Sequence, residues 1–142
     1  MLAGDALRDF QVAMSEGDVH AVRRFYAAWT DGNLPAMLDE VSSNVVAEPV
    51  LGLLYERPAY RGHSGITRWF EEVRDLWDGF EAHVEQTREV DGAVIAFVRL
   101  VAHQGGRSSD ARIGVVCRLR RGKIVSFVGR DSEELAEELA SR

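Results

Sequence analysis

The chain has 142 residues, 46% hydrophobic and 28% charged, the balance of a globular domain long enough to bury a core. A net charge of −6 works against non-specific nucleic-acid binding, and no apolar run approaches the roughly 20 residues that span a bilayer. The N-terminal M-L-A-G-D-A-L-R-D-F has no apolar signal region, and Cys117 as the only cysteine excludes an internal disulfide and fits a reducing, cytoplasmic setting.

Residues 4–15 carry weak helical spacing. Val19, Val22, Tyr26 and Trp29, with Phe25 beside them, then form a broad apolar stripe that predicts a helix capped by Asp18 and stopped by Gly32. Pro35 suits the first turn of a short helix reaching Val41. Val45–Leu51 reads as a strand, with Pro49 placing it at an edge, an end or a bulge. After Gly62, either His63 or Ser64 caps a helix with Ile66, Trp69, Phe70, Val73 and Trp77 inward, and Gly79 ends it.

The rest is strand-rich. Phe80, Ala82, Val84 and Val90 alternate with Glu81, His83, Glu85 and Glu89, and Asp91-Gly92 is a strong two-residue hairpin signal. Ala93–His103 is apolar on both faces and so central, and Gly105–Ser109 turns the chain. Ala111, Ile113, Val115, Cys117 and Leu119 line one face of the next strand, with Arg112, Arg118 and Arg120 opposite. Arg121-Gly122 leads into Ile124–Arg130. Asp131 and Glu134 have capping-box spacing for a last helix whose stripe includes Leu135 and Leu139.

This order predicts one α+β domain over 1–142, a strongly curved, antiparallel sheet wrapped around three to four helices and enclosing a pocket. The chain resembles the SnoaL-like branch of the nuclear transport factor 2-like superfamily from Val19 to Ala140. The likeness rests on F-Y-A-A-W-T-D-G-N-L (Phe25–Leu34), Y-R-G-H-S-G-I (Tyr60–Ile66) and S-F-V-G-R-D-S-E-E-L (Ser126–Leu135). It implies the cone-shaped fold of ketosteroid isomerases, polyketide cyclases, epoxide hydrolases and dehydratases, a range too wide to name a reaction. Members commonly pair through the outer sheet face. Val94, Val98 and Leu100 are read as apolar residues on that face, so a homodimer is expected.

The resemblance places Glu48 where isomerase-like members carry a general-base carboxylate. Val46 and Val50 share its face, so an inward face would lodge the carboxylate among apolar groups; the alternative is a strand-end glutamate in water or paired with an arginine. The isomerases' two enolate-stabilising donors correspond to Phe25 and Val115, neither of which donates a hydrogen bond, and Tyr26 is turned about 100° from Phe25 along the helix. Arg99 and His103 form a second pair. A two-residue turn at Asp91-Gly92 sets Arg99 opposite Val84 and His103 opposite Phe80, on the apolar face; one more loop residue would send both outside.

Phe25, Trp29, Tyr60, Trp69, Phe97 and Val115 are the expected pocket lining, with plain core as the alternative. The four histidines are widely spaced with no metal-binding pattern, Gly62–Ile66 misses the nucleophile elbow by one residue, and no phosphate loop is present. Cys117 alternates with apolar neighbours and reads as a buried, inert thiol. Two functions follow: a cofactor-independent cyclase, isomerase or hydrolase using Glu48 with Arg99 or His103, or a non-catalytic domain holding a small apolar ligand or a protein partner.

Overall fold

The computed structural model of the chain describes residues 2–49 and 59–141, with side chains described from Glu16 onward except that of Glu133. Helix α1 (Leu2–Thr30) is continuous, so Asp18 lies inside it and is not a cap. An interior glycine such as Gly17 costs a helix about 1 kcal/mol, which the burial of Val22, Phe25 and Trp29 on the core outweighs. Burial, then the charge of Glu89, raises the Asp18 carboxyl above its ordinary range. Helix α2 (Leu34–Asp39) starts as expected: Asn33 Oδ1 accepts from the Ala36 amide, and Pro35 sits in the first turn.

Strand β1 (Val41–Glu48) starts four residues before the expected Val45, and Val50 and Leu51 lie outside the described residues. After the short β2 (Tyr60–Arg61), helix α3 runs Gly62–Leu76. Neither His63 nor Ser64 caps it. Arg61 is the N-cap without a side-chain bond, and the His63 Nε2 lies 3.0 Å from the Val41 carbonyl oxygen. Trp77 is already past the helix end.

The remaining strands are β3 (Gly79–Val90), β4 (Ala93–Gln104), β5 (Arg107–Arg120) and β6 (Lys123–Arg130). One sheet results, in the order β2-β1-β6-β5-β4-β3, curving around α1 and α3. All pairs are antiparallel except β1 with β6, which run parallel, so the sheet is mixed at that one seam. The three hairpins use two-residue turns. Asp91 and Gly92 sit at φ 50° and 80°, the left-handed pair that matches strand twist. Gly105-Gly106 turns the second hairpin alone, so Arg107, Ser108 and Ser109 belong to β5.

One irregularity decides which residues face inward. From the turn, β3 and β4 pair in the expected register as far as Gln86 opposite Phe97. Glu85 is then an extra residue, a β-bulge, and the ladder resumes with Val84 opposite Val98. Arg99 consequently faces His83 rather than Val84, and His103 faces Gly79 rather than Phe80. The inner face of β4 carries Val94, Ala96, Val98 and Leu100, all in or against the main core with α1 and α3. Its outer face carries Ala93, Ile95, Phe97, Arg99 and His103.

Helix α4 (Glu133–Ala140) covers part of that outer face. Ser132, not Asp131, is its cap, its Oγ accepting from the Leu135 amide at 3.1 Å. The buried stripe is Ala136 and Ala140, packed on Ala93, Ile95, Phe97 and Val116, while Leu135 is 44% exposed. Two expectations change. Phe97 belongs to this second core, and Val94, Val98 and Leu100 are inside, which removes the apolar outer surface on which a homodimer was argued.

Candidate functional site

Under the sheet lies a cavity of about 40 Å³ with a nearly all-apolar wall. Three layers build it. Helix α1 contributes Tyr26 and Trp29, α3 contributes Trp69, and the sheet contributes Phe80, Leu100, Ile113, Val115 and Phe127. Glu48, Pro49 and Gly129 complete it where β1 and β6 end side by side, Glu48 opposite Val128.

Of the residues singled out by sequence, Trp29, Trp69 and Val115 are on this wall. Phe25 is fully buried behind it, with its ring 4.6 Å from that of Phe127. Tyr60 is buried beside it and stacks on Trp69, rings 5.8 Å apart and 19° from parallel. Its hydroxyl donates to Glu72 Oε2 at 2.5 Å. Phe97 is on the opposite face of the sheet. Tyr26, not Phe25, joins Trp29 in reaching the cavity from α1. Burial, with Cys117 adding to it, pushes its phenol well above the ordinary range, so the hydroxyl stays protonated. The signal for it was present: Tyr26 shares the stripe of Val22 and Trp29.

Glu48 is exposed at the rim, not enclosed: the buried residues of β1 are Val41, Val45 and Ala47, and Val46 is half-buried. Among the described residues it makes no hydrogen bond or ion pair and is the only carboxylate in the wall. Cys117 is fully buried, and burial pushes its thiol far up, so it stays protonated and unreactive.

Arg99 and His103 do not join this site, because the bulge at Glu85 places them on the outer face in a ladder of polar groups. The Arg99 guanidinium donates to Asp110 Oδ2 at 2.7 Å through Nε, and Arg112 donates to Glu85 Oε1 at 2.9 Å. His103 Nε2 lies 2.8 Å from one oxygen of Glu81, and His83 Nε2 lies 3.0 Å from the other. Ser108 Oγ is 2.8 Å from His103 Nδ1. The hydrogen bonds from His103 and His83 hold the Glu81 carboxyl below its ordinary range, and Arg99 does the same for Asp110. All are partly exposed and paired with one another within and across β3, β4 and β5, the arrangement of a solvated sheet face. An enzyme working with Glu48 and either Arg99 or His103 together therefore has no geometric basis.

A sequence model described as a SnoaL-like domain matches residues 22–127, the span from the middle of α1 to β6. The chain belongs to the SnoaL-like family. No curated protein sequence matches it. Solved structures agree in fold at low identity. Bal32a, from a soil-derived mobile gene cassette, is 22% identical, with a TM-score of 0.74 over 89% of this chain and 98% of its own. TerC, co-crystallised with polyporic acid, is 17% identical, with a TM-score of 0.73 over 89% of this chain and 99% of its own. RV0760c from Mycobacterium tuberculosis, in complex with estradiol-17beta-hemisuccinate, is 16% identical, with a TM-score of 0.69 over 83% of this chain and 95% of its own. At these identities the likeness carries the fold alone. Among the described residues, no helix is long and apolar enough to cross a membrane.

Proposed function

We propose that this SnoaL-like domain binds a small, mostly apolar molecule in the cavity and that Glu48 takes a proton from it at the mouth. The observation carrying this reading is an apolar cavity with, among the described residues, one carboxylate on its rim and no partner bonded to it. Apolar walls drive ring or alkyl groups out of water, and the exposed rim leaves the carboxylate within reach of a ligand seated in the mouth. A carboxylate so placed would remove a proton from carbon beside a carbonyl, needing no cofactor. TerC with polyporic acid and RV0760c with an estradiol ester are relatives of the same fold named with ring-containing small molecules, which supports a ligand of that general kind.

Cyclohex-2-enone tests both halves of the reading, since Trp29 and Trp69 in the wall report its binding through fluorescence. The wild-type protein should speed exchange of the hydrogens beside its carbonyl in heavy water, followed by proton NMR. Glu48→Gln keeps the shape and removes the base; exchange should fall by about 10²-fold or more, to the buffer rate, with binding unchanged. Binding without accelerated exchange would end the role of Glu48 and leave a holding pocket. Absence of binding would end the reading.

A further inference from the structure

The charged ladder on the outer face of the sheet includes a hydroxyl, that of Ser108. Its Oγ lies 2.8 Å from His103 Nδ1, and His103 Nε2 lies 2.8 Å from Glu81 Oε2. Three neighbouring strands supply the row. β5 gives the hydroxyl, β4 the imidazole and β3 the carboxylate, with His103 directly opposite Ser108 on one side and Gly79 on the other. Hydroxyl, imidazole and carboxylate joined in this order are the parts of an activated nucleophile.

The placement of the protons follows from charge. Hydrogen bonds from His103 and His83 hold the Glu81 carboxyl below its ordinary range, so near neutral pH it is ionised and can only accept. A neutral His103 ring therefore carries its hydrogen on Nε2, which donates to Glu81 and leaves the Nδ1 lone pair facing Ser108. Ser108 donates in turn. The ring is also held in place. His83 occupies the other oxygen of Glu81, and Gly79 leaves room beneath the imidazole, since a Cβ there would stand 3.2 Å from His103 Cδ2. Ser108 is exposed next to the Gly105-Gly106 turn, so a substrate reaches the hydroxyl from solvent.

We infer that Ser108, His103 and Glu81 form a second site, a nucleophilic serine on the outer face of the sheet that takes acyl groups from small activated esters. Ser108 Oγ attacks the ester carbonyl carbon while its proton passes to His103 Nδ1. The bond from that carbon to the leaving oxygen breaks, and the departing alcohol or phenol takes the proton from Nδ1. Water then attacks the acyl carbon and gives a proton to His103. The acid is released, and Ser108 Oγ recovers its proton from Nδ1. Ser108 and His103 are the catalytic residues, and Glu81 is a positioning residue. On this open face solvent meets the developing oxyanion, which restricts the site to esters with a good leaving group, such as aryl esters.

4-Nitrophenyl acetate tests the site, with 4-nitrophenolate release read by absorbance and the acetyl group located by peptide mass spectrometry. The wild-type protein should carry acetyl on Ser108, and Ser108→Ala should lose it together with the share of release that this site supplies. His103→Gln should slow acetylation of Ser108 by about 10²-fold or more, the reach of a general base. Glu81→Gln should slow it about tenfold, the size of one hydrogen bond, and Glu81→Asp should recover part of that loss because the charge returns. His20→Gln, at an exposed histidine of α1, should leave it unchanged. Each of these side chains is at least partly exposed, so the fold should survive every change. Absence of acetyl from Ser108, or acetylation as fast in His103→Gln as in the wild type, would overturn the inference. The cavity reading is tested separately, since the two sites share no residue.

Discussion

The two faces of β4 are made by alternate residues of one strand, yet they are stabilised in different ways. The inner residues Val94, Ala96 and Val98 are buried against α1 and α3 and lead to Leu100 on the cavity wall. The outer residues begin under α4 as Ile95 and Phe97 and end in water as Arg99 and His103. Apolar burial on the inner side is worth kilocalories per side chain, whereas exposed ion pairs on the outer side are screened by water and salt. The same strand therefore separates a face whose burial stabilises the fold from one whose charged residues meet water.

Four substitutions probe that contrast, and the largest effect belongs inside. Trp29 touches Trp69, Phe70 and Phe80 at once, so Trp29→Ala should cost about 3–5 kcal/mol, read from the urea midpoint. A loss near zero would mean that the inner face is not the main source of stability. Gly65→Ala comes next. The new methyl would press on the Tyr60 backbone, which cannot swing aside, at a cost of about 1–3 kcal/mol together with a change in the near-ultraviolet dichroism of the Tyr60–Trp69 stack.

The outer face should respond least, and mainly to pH. Glu81 has a lowered folded-state value, so its contribution is present above the ordinary glutamate value of 4.5 and is lost as pH falls through the lowered one. Glu81→Gln should flatten the acid side of the stability curve by lowering stability slightly above pH 4.5 and leaving it unchanged in strong acid. Arg99→Ala should move the neutral urea midpoint no further than its error. A large shift from either would show that the charged ladder is structural in its own right, and the comparison of faces would have to be redrawn.

Legibility in the sequence followed the range of the interactions. The turns at Asp91-Gly92 and Arg121-Gly122 are set by their own residues and were readable, as was the alternation of Ile113, Val115 and Cys117 against Arg112 and Arg118. The bulge at Glu85 was not read, although a trace existed: Phe80, Ala82 and Val84 share a parity that becomes polar at Gln86 and Arg88. Reading through it reversed the faces of Arg99, His103, Val98 and Leu100 together, because strand alternation carries one error along its whole length. Caps failed more locally. Asp131 and Ser132 are adjacent and equally able to cap, and only the path of the chain chooses between them. The continuous α1 was hidden by Gly17, and the Phe25–Tyr26 pair by a stripe wide enough to admit either. The parallel seam of β1 on β6 left no local mark, since neither strand carries a turn that could announce it.

That seam also sets an order of assembly. The hairpins from Gly79 to Arg130 join neighbours in sequence and close short loops, while β1 must wait for a strand near the other end of the chain. Glu48 and Gly129 meet at the cavity mouth only through that late pairing. A chain emerging from the ribosome would form the β3–β4 hairpin before β6 exists to pair with β1, so the mouth closes only on a nearly finished molecule.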